Sequence, residues 1–192
     1  MNLELSWNLF IVVLFAVIMS YSFIIGLHRT YKTVIACYLG VLAADGLGNL
    51  FQQYFLGSDT FVSALQLISI DNLDESLIFT KVVIFVFFIV ILTIKGVFKV
   101  ELNEYAEGPL APFFTLLFGF LTAGLIISTM LVYISGVSFV QADSVQSNII
   151  EIYTGSSFVR AMVDYYNFWF SMPVVILMVS SLIFNSHRKA IE

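Results

Sequence analysis

Apolar runs of about 20 residues recur along this chain, at 7–27, 33–56, 77–98, 110–134 and 168–184. A helix of that length crosses roughly 30 Å of hydrocarbon, and in lipid a helix satisfies its own backbone hydrogen bonds. The expected fold is therefore all-α: a polytopic helical membrane protein of about five transmembrane helices, with further helices at the outer interface and 1–192 forming a single integral membrane domain. Composition agrees, since 60% of residues are hydrophobic, 11% are charged and the mean hydropathy is +0.99. Soluble domains carry about 25% charged residues. Trp7, Tyr165, Tyr166 and Trp169 stand at run starts as interfacial anchors. Pro173 falls in or kinks the first turns of the last run.

The second run, TVIACYLGVLAADGLGNLFQQYFL, holds one acid, Asp45. A charge at that depth costs roughly 2.5–3.5 kcal/mol on insertion scales, so Asp45 is expected to face protein. Four-residue steps place Asp45, Asn49, Gln52 and Gln53 on one polar stripe and Ala36, Gly40, Ala44 and Gly48 on a small-residue ladder beside it. Both are expected to point inward. The fourth run repeats the device with Thr115, Gly119 and Ala123, and Gly124 nearby. Gly40, Ala44, Gly48, Gly119 and Ala123 are thus the candidate packing and assembly positions, bringing backbones close either within the chain or to a second copy. Two readings of Asp45 stand: a proton or cation site or assembly contact, with Asn49 and Gln52 as neighbours, or an acid that only locks helix packing.

Lys and Arg are in excess in cytoplasmic loops. Arg29 and Lys32 in HRTYK, Lys95 and Lys99, and Arg188 and Lys189 in the tail therefore define one side, and the acid-rich connections 57–76 and 135–167 the other. This predicts a multi-pass membrane protein with its amino terminus outside and its carboxyl terminus cytoplasmic. The uncharged stretch from Leu5 to Leu27 is long for a signal-peptide core and reads as a retained span. Lys81 is expected to snorkel outward from the start of the third run. On the outer side, 61–70 reads as an interfacial or re-entrant helix. Ser157 caps a second helix with Phe158, Val159, Met162, Val163 and Tyr166 on its apolar face and Arg160 paired to Asp164 on another. That helix either lies on the membrane surface or extends the fifth span.

The sequence carries no familiar catalytic constellation. The two histidines, His28 and His187, fall at helix edges, far from any mid-membrane serine, and H-E-x-x-H is lacking. An aspartyl protease needs two carboxylates, and Asp45 has no second membrane-embedded acid. Asp71, Asp74 and Glu75 fit a solvated helix start better than a cation loop. Cys37 is a lone thiol suited to packing. A net charge of −5 without a basic stripe argues against nucleic acid. No enzyme activity, metal or cofactor is expected; the expected partners are the lipid bilayer and a second copy or another membrane protein.

The order of features resembles the colicin V production protein family of bacterial inner-membrane proteins. The likeness runs from Trp7 to Tyr166: an apolar helix ending at Gly26, Leu27, His28 and Arg29, the Asp45 segment directly after it, the glycine-rich FGFLTAGLI of 118–126, and the serine-led SSFVRAMVDYY. It differs at Thr30 and Ala123, and in its fifth span. The resemblance implies an envelope protein linked to toxin production or export and to envelope homeostasis, with no catalytic residues to carry over. Two activities fit the sequence: a non-enzymatic component working through helix–helix contact, and a small channel or transporter subunit with Asp45 in a proton or cation path.

Overall fold

The computed structural model describes residues 7–54, 73–95, 111–135 and 150–188. The interfacial helix expected over 61–70, Asp71, the connection 96–110 and Lys189 lie outside the described residues. The described elements are α1 (Trp7–Tyr54), α2 (Leu73–Lys95), α3 (Ala111–Ile134), α4 (Ile150–Gly155), α5 (Ser157–Asp164) and α6 (Tyr166–Arg188). Among the described residues there is no strand. Among the described residues three helices are long and apolar enough to cross a membrane: α1, Ser76–Lys95 of α2, and α3. A fourth span results if α5 and α6, bent by 60° at their junction, are one broken span.

α1 takes in both of the first two apolar runs. In a straight helix Ile11 and Val41 would stand about 45 Å apart. Yet Ile11 packs on Ile127 and Leu131 of α3, and Val41 packs with Tyr133 near the same end of α3, its carbonyl accepting from the tyrosine hydroxyl at 3.2 Å. So α1 doubles back on itself. The corner is Gly26, with φ 77° and ψ 171°, a conformation that a residue with a Cβ rarely holds. Thr30 closes it: its hydroxyl lies 2.9 Å from the Gly26 carbonyl and 3.2 Å from that of Ser22. The expected loop HRTYK is helical instead, because one positive-φ glycine already turns the chain. Residues 7–25 form a first arm and 27–54 a second.

α3 runs between the arms and is buried along most of its length. Near its start Phe118 lies 4.2 Å, ring to ring, from Tyr31 of the second arm, and Gly119 abuts Ser22 of the first. α2 lies antiparallel along the second arm, since Phe85 and Ile89 meet Gly40 while Lys81 meets Gly48. α6 also runs antiparallel to that arm: Tyr31 donates to Ser180 Oγ at 2.9 Å, and Tyr38 donates to the Phe170 carbonyl. Pro173 is buried inside α6, which begins at Tyr166. Trp7, Gly48, Lys81, Tyr133 and α5 therefore gather toward one end of the bundle, with Gly26, Phe118 and Ser180 toward the other.

Two local expectations change. The cap of α5 is Ser156, one residue earlier than expected; its hydroxyl accepts from the Val159 N–H and donates to Asn8 Oδ1 at 2.6 Å. Asn8 also accepts from the Phe158 N–H at 3.4 Å, so the start of the first arm is tied to the start of α5. Val159 and Met162 are buried in the bundle against Ile11, whereas Phe158 is exposed. Arg160 and Asp164 both turn to Tyr153: its hydroxyl donates to Asp164 at 2.6 Å, and the guanidinium stands 5.4 Å from its ring centre.

Candidate functional site

The second arm turns its small residues toward α2, and the distances show why they must be small. A Cβ on Gly40 would sit 3.2 Å from the Phe85 ring and 3.3 Å from the Phe85 carbonyl oxygen. Backbones this close exclude larger side chains. At Gly48 the neighbour is not backbone but Lys81: a Cβ there would lie 2.6 Å from Lys81 Cγ and 3.0 Å from Cε. The aliphatic stem of the lysine thus lies across the notch that Gly48 leaves open. Its ammonium then reaches Asp45 Oδ1 at 3.4 Å. Both residues are buried, Asp45 at 8% and Lys81 at 7% exposure.

Lys81 does not snorkel outward; it turns inward to the acid of the neighbouring helix. An unpaired charge among apolar side chains is expensive, and a pair removes most of that cost only when the two stay in contact. Below the pair, Val41, Ala44, Phe85 and Tyr133 form an apolar floor, with the Phe85 and Tyr133 rings edge to face at 6.0 Å. Along the second arm about 10 Å of helical rise separates Asp45 from Gln52. The pair is therefore nearer to the Tyr54 end of that arm than to its Gly26 end.

Of the expected polar stripe only Asp45 is buried; Asn49, Gln52 and Gln53 are exposed. The stripe climbs from a covered ion pair to open amides. The ladder behaves as a unit: Ala36, Gly40, Ala44 and Gly48 are all buried. Gly119 and Ala123 are buried in α3, Gly119 with Ser22 Cβ placed 3.0 Å from a hypothetical Cβ. Gly124 underlies Trp169, whose ring would come within 2.0 Å of a Cβ there. These small residues are used inside the chain.

Lys81 is the site residue whose direction differs from the sequence expectation. A signal for it existed: Asp45 is the only acid in any expected span, and Lys81 lies inside the expected span 77–98, four residues from its start. His28 is exposed at the α1 corner, where partial burial, then the Lys32 and Arg29 charges, hold its imidazole below the ordinary value. Among the described residues no group of three or more His, Cys, Asp and Glu side chains could hold a metal ion. Fold and site together define a helical membrane protein with an ion pair buried between two neighbouring helices. Set against known protein families, curated proteins and solved structures, the chain matches none of the three.

Proposed function

We propose that this chain is a small, non-enzymatic transport or channel subunit of a bacterial cytoplasmic membrane, with Asp45 and Lys81 as the charge-handling point of a proton or cation path. One observation carries the reading: an acid and a base in contact at 3.4 Å inside an apolar helical bundle, continued by the exposed amides of Asn49, Gln52 and Gln53. Buried ionisable groups in spanning helices mark pathways more often than packing. Five spans are counted in this reading, one for each arm of α1, one each for α2 and α3, and one for α5 with α6. The doubling back at Gly26 favours that count. The amino terminus is then outside and the carboxyl terminus cytoplasmic, because Arg29, Lys32 and Lys95 belong to the Gly26 end. The resemblance to the colicin V production family would make the transported species part of envelope homeostasis or toxin export.

A second reading, lateral contact with another copy or a partner, is favoured by the exposure of Asn49 and Gln52 on an apolar helix. Because the glycine ladders are covered within the chain, such contact would run through these amides. The two readings separate in proteoliposomes. Asp45→Asn abolishes flux and leaves crosslinked oligomers unchanged if the chain transports, whereas Asn49→Leu with Gln52→Leu abolishes crosslinking and leaves flux unchanged if it works by contact.

A further inference from the structure

The cation position beside Asp45 is already filled. Lys81 is tethered to α2, its stem lies across the Gly48 notch, and its ammonium is 3.4 Å from the carboxylate. A free sodium or potassium ion would have to displace a group held at very high effective concentration. The pair is neutral as it stands. A proton added to Asp45 alone leaves one positive charge unpaired in an apolar surround, and an anion added at Lys81 alone leaves one negative charge. Added together they leave the site neutral.

We propose that the Asp45–Lys81 pair is a co-binding site for one proton and one small monovalent anion, the anion taking the place of the Asp45 carboxylate at the Lys81 ammonium. The inference rests on the transport reading above and names the species. A proton from the aqueous phase forms an O–H bond on Asp45, the contact to Lys81 opens, and the anion accepts hydrogen bonds from the freed ammonium. No bond within the anion is made or broken. Release of both on the far side restores the original pair. The titratable groups facing Asp45 are Lys81 from α2 and Tyr133 from α3. The Tyr133 hydroxyl donates to the Val41 carbonyl. Asn49, one turn beyond Asp45 and exposed, supplies an amide N–H on the approach.

The test uses the full chain in phosphatidylcholine and phosphatidylglycerol vesicles with a pH dye inside and the membrane potential clamped by potassium and valinomycin. External acid is added with chloride, nitrate, pyruvate or sulfate as the only anion. The lumen is expected to acidify faster than in empty vesicles with at least one of the monovalent anions, not with sulfate, and independently of the imposed potential. Asp45→Asn and Lys81→Gln should each bring the rate down to that of empty vesicles. The double variant Asp45→Asn/Lys81→Gln leaves no unpaired charge, so it should keep its helical content and elution volume and still be inactive; a double variant that transports overturns the proposal. Acidification that needs no anion and follows the potential, or flux coupled to sodium or potassium, overturns co-binding while leaving a proton or cation path. Absence of any flux removes both.

Discussion

Asp45 and Lys81 stabilise the bundle only as a couple, and that sets what single substitutions do. Lys81→Met leaves a carboxylate buried without its counter-ion and is expected to cost about 3–5 kcal/mol, read as a lower midpoint of thermal unfolding in mild detergent. Asp45→Asn/Lys81→Met together should recover most of that loss, because two apolar or neutral groups replace two charges. A midpoint for the double variant as low as for the single one would mean that the contact is not what holds these residues. The two glycines that follow Asp45, Gly46 and Gly48, give a sharper contrast. Gly48→Ala places a Cβ 2.6 Å from Lys81 Cγ and must displace the lysine, whereas Gly46 has nothing within 4 Å. Gly46→Ala should therefore stabilise the helix by roughly 1 kcal/mol, while Gly48→Ala destabilises. The sequence made Asp45 legible through its cost in lipid, but not its partner. A lysine eight residues from a helix start can reach either toward water or along a groove, and only the notch at Gly48 decides between them.

At the scale of the helix, apolar runs predicted α2, α3 and α6 to within a few residues of their observed ends. They did so because an apolar run of about 20 residues in lipid satisfies its backbone hydrogen bonds as a helix of that length. The turn between the first two runs was not legible in the same way. HRTYK looks like a loop by charge, yet its residues remain helical and the reversal is confined to Gly26. Nothing crowds the space beside this glycine, so the cost of a side chain there is purely conformational. Gly26→Ala is expected to cost about 1–3 kcal/mol, seen as a lower unfolding midpoint, with the larger part recovered by D-alanine in a semisynthetic chain. The α5 cap follows a similar logic. Ser156→Ala removes the acceptor for the Val159 N–H and the donor to Asn8, and a lost cap costs about 1 kcal/mol. Faster amide exchange at Phe158 and Val159 should accompany it, since those N–H groups point at Ser156 and Asn8.

For the whole molecule, the ends that lie together make a prediction no single helix makes. Asn8 is bonded to Ser156, and Ile11 shares a cluster with Val159 and Met162, so the start of the first arm and α5 lie on one side of the bundle. Arg29 and Lys32 follow the Gly26 corner on the other. The native thiol does not interfere with a labelling test, because Cys37 is fully buried; replacing it by Ala gives a clean background in a chain that already packs small residues there. In that background, single cysteines at Phe158 and at His28, both exposed positions, should react with an impermeant maleimide from opposite faces of sealed vesicles. The same protection pattern at both sites would mean that the first arm of α1 does not cross, and with it the odd number of spans would fail. A cysteine at Asn49 decides how the polar stripe meets water. Labelling from the Phe158 face ties the amides, and through them the Asp45–Lys81 pair, to that aqueous phase; protection at Asn49 that disappears on dilution into detergent would place a second protein surface over the stripe instead.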